Sequence, residues 1–215
     1  MKIINFDSNV FPFPVILLEW FNVDNLESLH EQKKYINIFL RKEDQNTIWH
    51  NIFYNNIKKD NMFNILYINF LKKHIKPLYK EKIVYQKIPS LRVHLKDNVA
   101  VGEFHKDKDY RDEEWTNIVK EKNYYLPLTN TNKYNTFWVE SQEDKKDYKP
   151  VLLNYGECLE WDGLNLTHGN KKNISDYTRV SIDFRVMPLS RYVESNFSSI
   201  NTNTKFKLGE YYSLL

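Results

Sequence analysis

The spacing of apolar residues changes from a helical to a strand-like period near residue 83 of this 215-residue chain. Before that point apolar residues recur every three or four positions, which predicts amphipathic helices. The clearest stripe consists of Phe63, Leu66, Tyr67, Phe70, Leu71, Ile75 and Leu78. It stops near Pro77, because proline cannot continue a helix. Weaker helical signals cover residues 24–42 and 46–58.

From about residue 83 the apolar period falls to two, and turn residues arrive about every ten positions. This pattern is typical of an antiparallel sandwich or barrel. The predicted strands are 90–96, 99–107, 123–129, 134–141, 150–154, 157–161 and 178–187. We therefore expect a single α+β domain. Its parts would be a mainly helical N-terminal layer (1–82), a β core (83–189) and a C-terminal arm (190–215).

Composition excludes several classes of protein. The single Cys158 excludes an internal disulfide and a zinc ribbon, and the five glycines are too dispersed for a Rossmann fingerprint or a P-loop. The 31 basic and 28 acidic residues are interspersed, which predicts no nucleic-acid-binding surface. The N-terminus shows neither a signal peptide nor a membrane span, so we expect a cytoplasmic protein without membrane contact.

Strand 178–187 alternates polar and apolar residues without a break. One face would carry Arg179, Ser181, Asp183 and Arg185, and the other Val180, Ile182, Phe184 and Val186. The apolar face belongs to a hydrophobic layer. For an isolated strand of this kind, solvent is the default environment of the polar face.

The segment His105-Lys-Asp107 has the spacing of a chelating pair. Two residues apart on a strand, both side chains would point to the same side. Iron(II) in a facial site takes two imidazoles and one carboxylate and keeps positions open for other ligands. His-x-Asp alone is a weak signal, but His168 follows at the entry of the last strong strand. The other histidines, His30, His50, His74 and His94, are expected to have packing or surface roles.

Arg179 and Ser181 follow His168 by eleven and thirteen residues. On one strand face, a guanidinium can hold a carboxylate by a bidentate fork and a hydroxyl can add one hydrogen bond. The order His-x-Asp, distant His, Arg-x-Ser is what an iron(II) enzyme that binds 2-oxoglutarate requires. The keto acid end would chelate the metal and the far carboxylate would reach the arginine.

In these motifs the sequence resembles the iron(II)/2-oxoglutarate-dependent oxygenases, and more narrowly the streptomycin-biosynthesis-type hydroxylases. The shared segments are Val101-Gly-Glu-Phe-His-Lys-Asp-Lys-Asp-Tyr110, Asn123-Tyr-Tyr-Leu-Pro-Leu-Thr129, Phe137-Trp-Val-Glu-Ser141, Trp161-Asp-Gly163, His168-Gly-Asn170 and Thr178-Arg-Val-Ser-Ile-Asp-Phe-Arg-Val186. The resemblance covers residues 83–187 and not residues 1–80.

The resemblance implies a double-stranded β-helix, or jelly roll, with the metal between its sheets. The metal ligands would be His105, Asp107 and His168. Arg179 and Ser181 would bind 2-oxoglutarate, and the polar face of their strand would point into the site rather than to solvent.

Other polar and aromatic residues allow more than one interpretation. Asn123 could contact the cosubstrate or substrate, or could only cap a turn. Arg185 is expected in a structural salt bridge near Asp183, too far along the strand to share a carboxylate with Arg179. Trp138 and Trp161 are expected to pack in the core.

The leading hypothesis is an Fe(II)/2-oxoglutarate dioxygenase that uses O2 to hydroxylate a small molecule, such as a carbohydrate or secondary metabolite, with succinate and CO2 as co-products. Asp107 argues against the halogenase variant, in which a small residue replaces the carboxylate. One alternative is a cupin-like metalloenzyme without 2-oxoglutarate. Another is a non-catalytic β-sandwich that binds a sugar or a partner.

Two segments outside the motifs carry separate expectations. The charged and aromatic segment 108–122 either lies over the mouth of the site or is an ordinary solvated connection. The C-terminal arm, polar through Thr204 and then apolar, is expected to dock on its own domain or on a second subunit.

Overall fold

Two antiparallel sheets form the centre of the protein, and helices pack against the larger one. A computed structural model describes residues 1–32, 47–100, 103–111, 113–199 and 204–215. The helices are α1 (Phe13–Phe21), α2 (Ile48–Asn56), α3 (Asn61–Phe70) and α4 (Glu113–Val119). The strands are β1 (Lys2–Asn5), β2 (Ile83–Gln86), β3 (Ser90–His94), β4 (Lys122–Pro127), β5 (Phe137–Val139), β6 (Lys149–Pro150), β7 (Glu157–Trp161), β8 (His168–Asn170), β9 (Arg179–Pro188) and β10 (Tyr212–Leu214). The predicted α+β class is confirmed.

The predicted helical stripe after residue 60 corresponds to α3 and its continuation. Asp60 caps α3 by accepting a hydrogen bond from the Met62 N–H at 2.6 Å. A π-helical turn (Leu71–Ile75) and a 3-10 turn (Lys76–Leu78) follow α3. Pro77 lies within this 3-10 turn, and the helical run ends at Leu78, since Tyr79 is extended. Because Pro77 has no N–H to donate, the α-helical hydrogen-bond pattern cannot continue through it.

Of the other two helical signals, the one over 46–58 is confirmed and the one over 24–42 is matched only in part. Residues 46–58 contain α2, which begins after the N-cap Thr47. In the range 24–42 the structure shows a 3-10 turn, Leu26–Glu31, and residues 33–42 lie outside the described residues. None of the helices among the described residues is long and apolar enough to cross a membrane.

The larger sheet has the strand order β1-β7-β4-β9-β2-β10, and β3 also pairs with β9. The smaller sheet has the order β6-β5-β8. An isolated antiparallel bridge between His105 and His168 adds one more residue beside β8. β9 is the centre of the larger sheet, since β4 pairs along one edge and β2 and β3 share the other.

Both faces of β9 are covered, so solvent is the wrong environment for its polar face. Val180, Ile182, Phe184 and Val186 have no exposed surface. Arg179 and Ser181, on the opposite face, are 3 % and 0 % exposed. Arg179, Asp183 and Arg185 of this polar face line a cleft between the sheets. This orientation agrees with what the family resemblance implies.

The apolar face of β9 packs against the N-terminal helices. Phe184 stacks on Tyr124 of β4 at 5.2 Å between ring centroids and meets Tyr67 of α3 edge-on at 5.3 Å. The same hydrophobic cluster includes Phe13 of α1 and Phe53 of α2, each fully buried. One continuous core therefore joins α1, α2 and α3 to the larger sheet.

The predicted strand 99–107 is wrong over the described residues, which exclude 101–102. Asp97 and Ala100 have positive φ angles of 66° and 48°, which interrupt an extended chain. His105 makes only the isolated bridge, and Asp107 begins a 3-10 turn, Asp107–Tyr110. The predicted strand 134–141 shrinks to β5. The predicted strand 150–154 is wrong beyond Pro150, where β6 ends, whereas β3, β4, β7 and β9 match predicted strands to within a few residues.

The end of the chain docks on its own sheet. β10 pairs with β2, and Leu215 and Ile83 exchange backbone hydrogen bonds of 2.9 and 2.8 Å. Phe206, Tyr211 and Tyr212 are buried in a second cluster with Trp115 and Val119 of α4. β1, β2, β8 and β10 were not among the predicted strands, and each is only three or four residues long.

We expect Phe184→Ala to lower the free energy of unfolding by about 3–5 kcal/mol, because it leaves a large cavity where helices and sheet meet. Phe197→Ala is the matched control, since that ring is 53 % exposed, and its effect should be small. Chemical denaturation followed by far-UV circular dichroism and by tryptophan fluorescence measures both. Separate transitions for the two probes would contradict a single cooperative domain.

Candidate metal centre

Two imidazoles and one carboxylate converge in the cleft between the sheets. The ligand atoms of His105, Asp107 and His168 all lie within 4.8 Å of one another. Asp107 Oδ1 is 3.7 Å from His105 Nε2 and 3.8 Å from His168 Nε2. These are the donors of a facial metal site, and the structure brings together the three residues that the sequence singled out.

Backbone pairing holds the three ligands in register. The His105 and His168 backbones exchange two hydrogen bonds of 2.9 Å each. The Asp107 N–H donates to the Gly163 carbonyl at 2.9 Å. The relation between His105 and Asp107 is therefore set by a bridge followed by a 3-10 turn, and not by alternation along a strand.

Both imidazoles are oriented by backbone carbonyls. His105 Nδ1 lies 2.7 Å from the Glu103 oxygen, and His168 Nδ1 lies 2.9 Å from the Leu166 oxygen. Because a carbonyl oxygen can only accept, each Nδ1 carries the proton and each Nε2 presents a lone pair toward the centre. Burial lowers the pKa of His168 to about 4, so this imidazole is neutral at pH 7 and able to bind a metal.

The two oxygens of Asp107 have different partners. Oδ2 accepts hydrogen bonds from Asn123 Nδ2 at 3.0 Å and from Arg185 Nη2 at 2.9 Å, which leaves Oδ1 facing the imidazoles. Burial opposes ionisation of Asp107. The Arg185 guanidinium outweighs this effect and holds the pKa of Asp107 well below its usual value. The carboxylate is thus charged and offers one oxygen to a metal.

Two glycines allow the close contacts around the ligands. A Cβ on Gly163 would lie 2.5 Å from Asn123 Nδ2, and a Cβ on Gly169 would lie 2.9 Å from Phe104 Cα. Gly163 therefore leaves space for the amide that holds Asp107. Gly169 lets the backbone before His105 approach β8. The sequence analysis gave neither glycine a separate role.

Arg179 and Ser181 lie on the same face of β9 with unused hydrogen-bonding capacity. Arg179 donates weakly to the Asn170 side chain at 3.3 Å and to the Tyr125 hydroxyl at 3.5 Å. Among the described residues, Arg179 Nε and Ser181 Oγ are buried without a hydrogen-bond partner. Such groups are costly unless a ligand satisfies them. A carboxylate, which accepts only, fits this pair of donors.

The cleft around these residues has an empty space of about 670 Å³ including its mouth. Its walls carry the three ligands together with Arg92, Asn123, Tyr125, Phe137, Trp161, Asn170, Arg179, Asp183 and Arg185. Arg92 pairs with Asp183 at 2.6 Å, both being mostly buried. Arg92 and Tyr125 were not predicted from the sequence as residues of the site. Both alternate inward on strands that flank β9, and pairing of those strands with β9 is the signal that would have found them.

Three assignments of wall residues need correction. Arg185 is buried in ion pairs, as expected, but with Asp107 and Glu121 instead of near Asp183. Asn123 caps no turn, because it lies within β4 and its amide reaches the carboxylate of Asp107. Trp161 packs in the core as expected, and its ring also meets the His168 ring edge-on at 4.4 Å. Trp138, by contrast, is only partly buried, under Lys171.

The other histidines do not join the ligand group. His94 is buried on β3, with its ring nitrogens near the Asn98 and Asn135 carbonyls. His30, His50 and His74 belong to the N-terminal part of the chain.

In segment 108–122, the Tyr110 ring lies 5.3 Å from the His105 ring, and the remainder of the segment includes α4. A lid role for this segment stays a prediction.

Comparison with known proteins agrees with this architecture. The chain shares its fold with a non-heme alpha ketoglutarate dependent carbocyclase, SnoK from nogalamycin biosynthesis, at a TM-score of 0.52 and 14% identity, over 86% of this chain and 78% of that one. It is 33% identical to the streptomycin biosynthesis protein StrG of Streptomyces griseus over 210 residues, 97% of this chain and 96% of StrG. The chain therefore belongs to the StrG family. No model of a known protein family matches the sequence.

We expect His168→Ala to abolish binding of one divalent metal ion per chain, since two remaining ligands cannot complete a facial site. His30→Ala serves as the control, because His30 contacts Thr178 and lies apart from the ligand group. Anaerobic Fe(II) titration with separation of bound from free metal measures the stoichiometry. Full metal retention in the His168 variant would show that the third ligand is wrongly assigned.

Gly163→Ala should lower metal affinity by about tenfold or more, because its methyl group displaces the Asn123 amide from Asp107. The Asn123→Ala variant should show a similar loss. In the double variant the second substitution should add little, since there is no amide left to displace. Additive losses in a Co(II) titration would mean that Gly163 acts by another route.

Proposed function

We propose that the protein is an Fe(II)/2-oxoglutarate-dependent dioxygenase. The observation that carries the proposal is one cleft holding both a His-Asp-His group and a buried arginine with an unpaired donor. When bound, iron would activate O2 and couple the oxidative decarboxylation of 2-oxoglutarate to substrate oxidation, with succinate and CO2 as co-products. The imidazole lone pairs that face the centre fit a metal ion such as Fe(II). The unpaired donors of Arg179 and Ser181 on β9 fit a carboxylate of 2-oxoglutarate.

Different side chains bind the metal and the cosubstrate. His105, Asp107 and His168 hold the metal. The guanidinium of Arg179 binds the far carboxylate of 2-oxoglutarate, and Ser181 adds one hydrogen bond. Asn123 lines the cleft and, among the described residues, has an unpaired Oδ1. This oxygen only accepts and 2-oxoglutarate has no donor, so Asn123 would accept a hydrogen bond from a hydroxyl or amine of the substrate while its amide N–H holds Asp107.

The finer description of the fold belongs to the same proposal. We assign residues 83–189 to a double-stranded β-helix, residues 1–82 to a mainly helical layer that covers it, and residues 190–215 to a C-terminal arm. β1 and β10, which lie outside 83–189, extend the two ends of the larger sheet. The facing sheets, the cleft between them and the shared core of helices and sheet support this assignment. A cytoplasmic location and a homo-oligomer formed through the C-terminal arm stay predictions.

We propose that the substrate is a polar small molecule of secondary metabolism, such as a carbohydrate, and that the outcome is hydroxylation. The support is the relationship to a streptomycin biosynthesis protein and the polar wall formed by Arg92 and Asp183. An ion pair in a partly dry cleft offers both donors and acceptors to hydroxyl groups.

The direct test is anaerobic addition of Fe(II) and 2-oxoglutarate. Bidentate chelation of iron by the keto acid should give a weak visible charge-transfer band, and admission of O2 should yield succinate. A cupin-like metalloenzyme would bind iron without this band. A non-catalytic binding protein would retain no stoichiometric metal.

Arg179→Ala should raise the apparent dissociation constant of 2-oxoglutarate by about tenfold to a hundredfold, because a charge-assisted contact contributes about 1.5–3 kcal/mol. Iron binding should survive. Arg179→Lys should restore affinity only in part, since it keeps the charge and loses the fork, and Ser181→Ala should have a smaller effect. The exposed Arg191 provides the control variant Arg191→Ala. Unchanged 2-oxoglutarate affinity in Arg179→Ala would favour a metal site without this cosubstrate.

A further inference from the structure

The guanidinium that holds the metal ligand Asp107 is itself held from three sides. Arg185 Nη2 donates to Asp107 and Nη1 donates to the Tyr211 hydroxyl at 2.8 Å, while Nε lies 3.2 Å from Glu121 Oε1 in an ion pair that lacks hydrogen-bond geometry. Each side of the planar group thus faces a different partner. Its orientation, and hence the position of Asp107 Oδ2, depends on where Tyr211 and Glu121 are placed.

Glu121 is fully buried and held by two further groups. Arg111 Nη1 pairs with its Oε1 at 2.5 Å, and the Tyr212 hydroxyl donates to its Oε2 at 2.7 Å. The Arg111 guanidinium lies 4.9 Å from the ring centroids of both Trp115 and Phe206. The acidic and basic groups balance, one carboxylate for each guanidinium, as burial of charge requires.

The two tyrosines are adjacent residues near the end of the chain. Tyr211 is anchored by a hydrogen bond from the Lys87 N–H to its carbonyl at 2.8 Å, and Tyr212 begins β10, which pairs with β2. Both rings are buried, at 4 % and 0 % exposure. The docked chain end therefore supplies two hydroxyls to an ion network that ends on a metal ligand.

We propose that Tyr211 and Tyr212 are positioning residues for the metal centre, acting through Arg185 and Glu121 on the carboxylate of Asp107. Docking of the C-terminal segment then sets metal affinity as well as fold stability. This inference rests on the metal site of the proposed function. Tyr211 and Tyr212 are far in sequence from His105, Asp107 and His168, and the sequence alone does not suggest this role for them.

If Tyr211 and Tyr212 served only to stabilise the fold, their loss would lower stability without a specific effect on metal affinity. A matched control variant, Tyr192→Phe, distinguishes this role from positioning. Tyr192 belongs to the same apolar cluster, packs against the Tyr212 ring at 6.1 Å, and its hydroxyl accepts a hydrogen bond from the Leu208 N–H in the C-terminal segment. The Tyr192 hydroxyl therefore contacts the backbone of the C-terminal arm. It makes no hydrogen bond to the charged groups of the network, which are Asp107, Arg111, Glu121 and Arg185. Tyr192→Phe therefore removes one hydroxyl from the segment and leaves the ion network intact.

The experiment compares Tyr211→Phe, Tyr212→Phe and Tyr192→Phe by anaerobic titration of the metal-free full-length protein with Co(II), followed by its visible absorption. Removal of a direct partner of a metal ligand typically costs tenfold to a hundredfold in affinity. One step further out, we expect Tyr211→Phe to weaken Co(II) binding by about threefold to tenfold, with an altered spectrum. Tyr212→Phe should act in the same direction, and Tyr192→Phe should match the wild type.

Free energies of unfolding of the metal-free variants complete the comparison. Similar losses of stability in Tyr211→Phe and Tyr192→Phe, with weaker Co(II) binding only in the former, support positioning. Equal Co(II) affinity and spectra in the tyrosine variants and the wild type would overturn it, while the metal site stands. A wild type that binds no Co(II) would defeat both this inference and the proposed function. A wild type that binds Co(II) but consumes no 2-oxoglutarate would defeat the proposed function alone.

Discussion

The arrangement of the cleft depends on how the Asp107 carboxylate is shared. One oxygen accepts from Asn123 and Arg185, and the other faces two imidazole nitrogens. A buried carboxylate is costly unless it is paired and hydrogen-bonded, and the Arg185 guanidinium offsets this cost. The same contact that keeps Asp107 charged also decides which oxygen is available to a metal. The electrostatic requirement of burial and the geometric requirement of coordination are met by one interaction.

β9 connects this site to the stability of the whole chain. Its apolar face, centred on Phe184, is packed against α3, and its polar face carries Arg179 and Arg185. Because the strand is held on both edges by β4 and by β2 and β3, its polar side chains have little freedom to move away from the cleft. A rigid strand that supplies several polar groups to one cavity is a good scaffold for a site that must be assembled before a ligand enters.

The ligands come from segments that regular secondary structure does not organise. His105 follows an irregular stretch, and Asp107 begins a short 3-10 turn. The position of His105 is instead fixed by two backbone hydrogen bonds to His168 and by the small volume of Gly169. The position of Asp107 is fixed by a hydrogen bond from its N–H to the Gly163 carbonyl. Such sites tolerate little change in side-chain volume, since a single methyl group would meet backbone or a bonded amide at less than 3 Å.

The sequence by itself determined the α+β class, the alternation of β9, and the three residues that converge as possible metal ligands. These features depend on local periodicity and on side-chain chemistry, which the order of residues states directly. Only the tertiary structure decided that the polar face of β9 is buried, that Arg185 holds Asp107, and that Tyr211 and Tyr212 brace Arg185 and Glu121. These contacts join residues up to about a hundred positions apart, through strand pairing and the docking of β10 on β2. Periodicity identifies the two faces of a strand, but the partner of each face depends on how the chain packs around it.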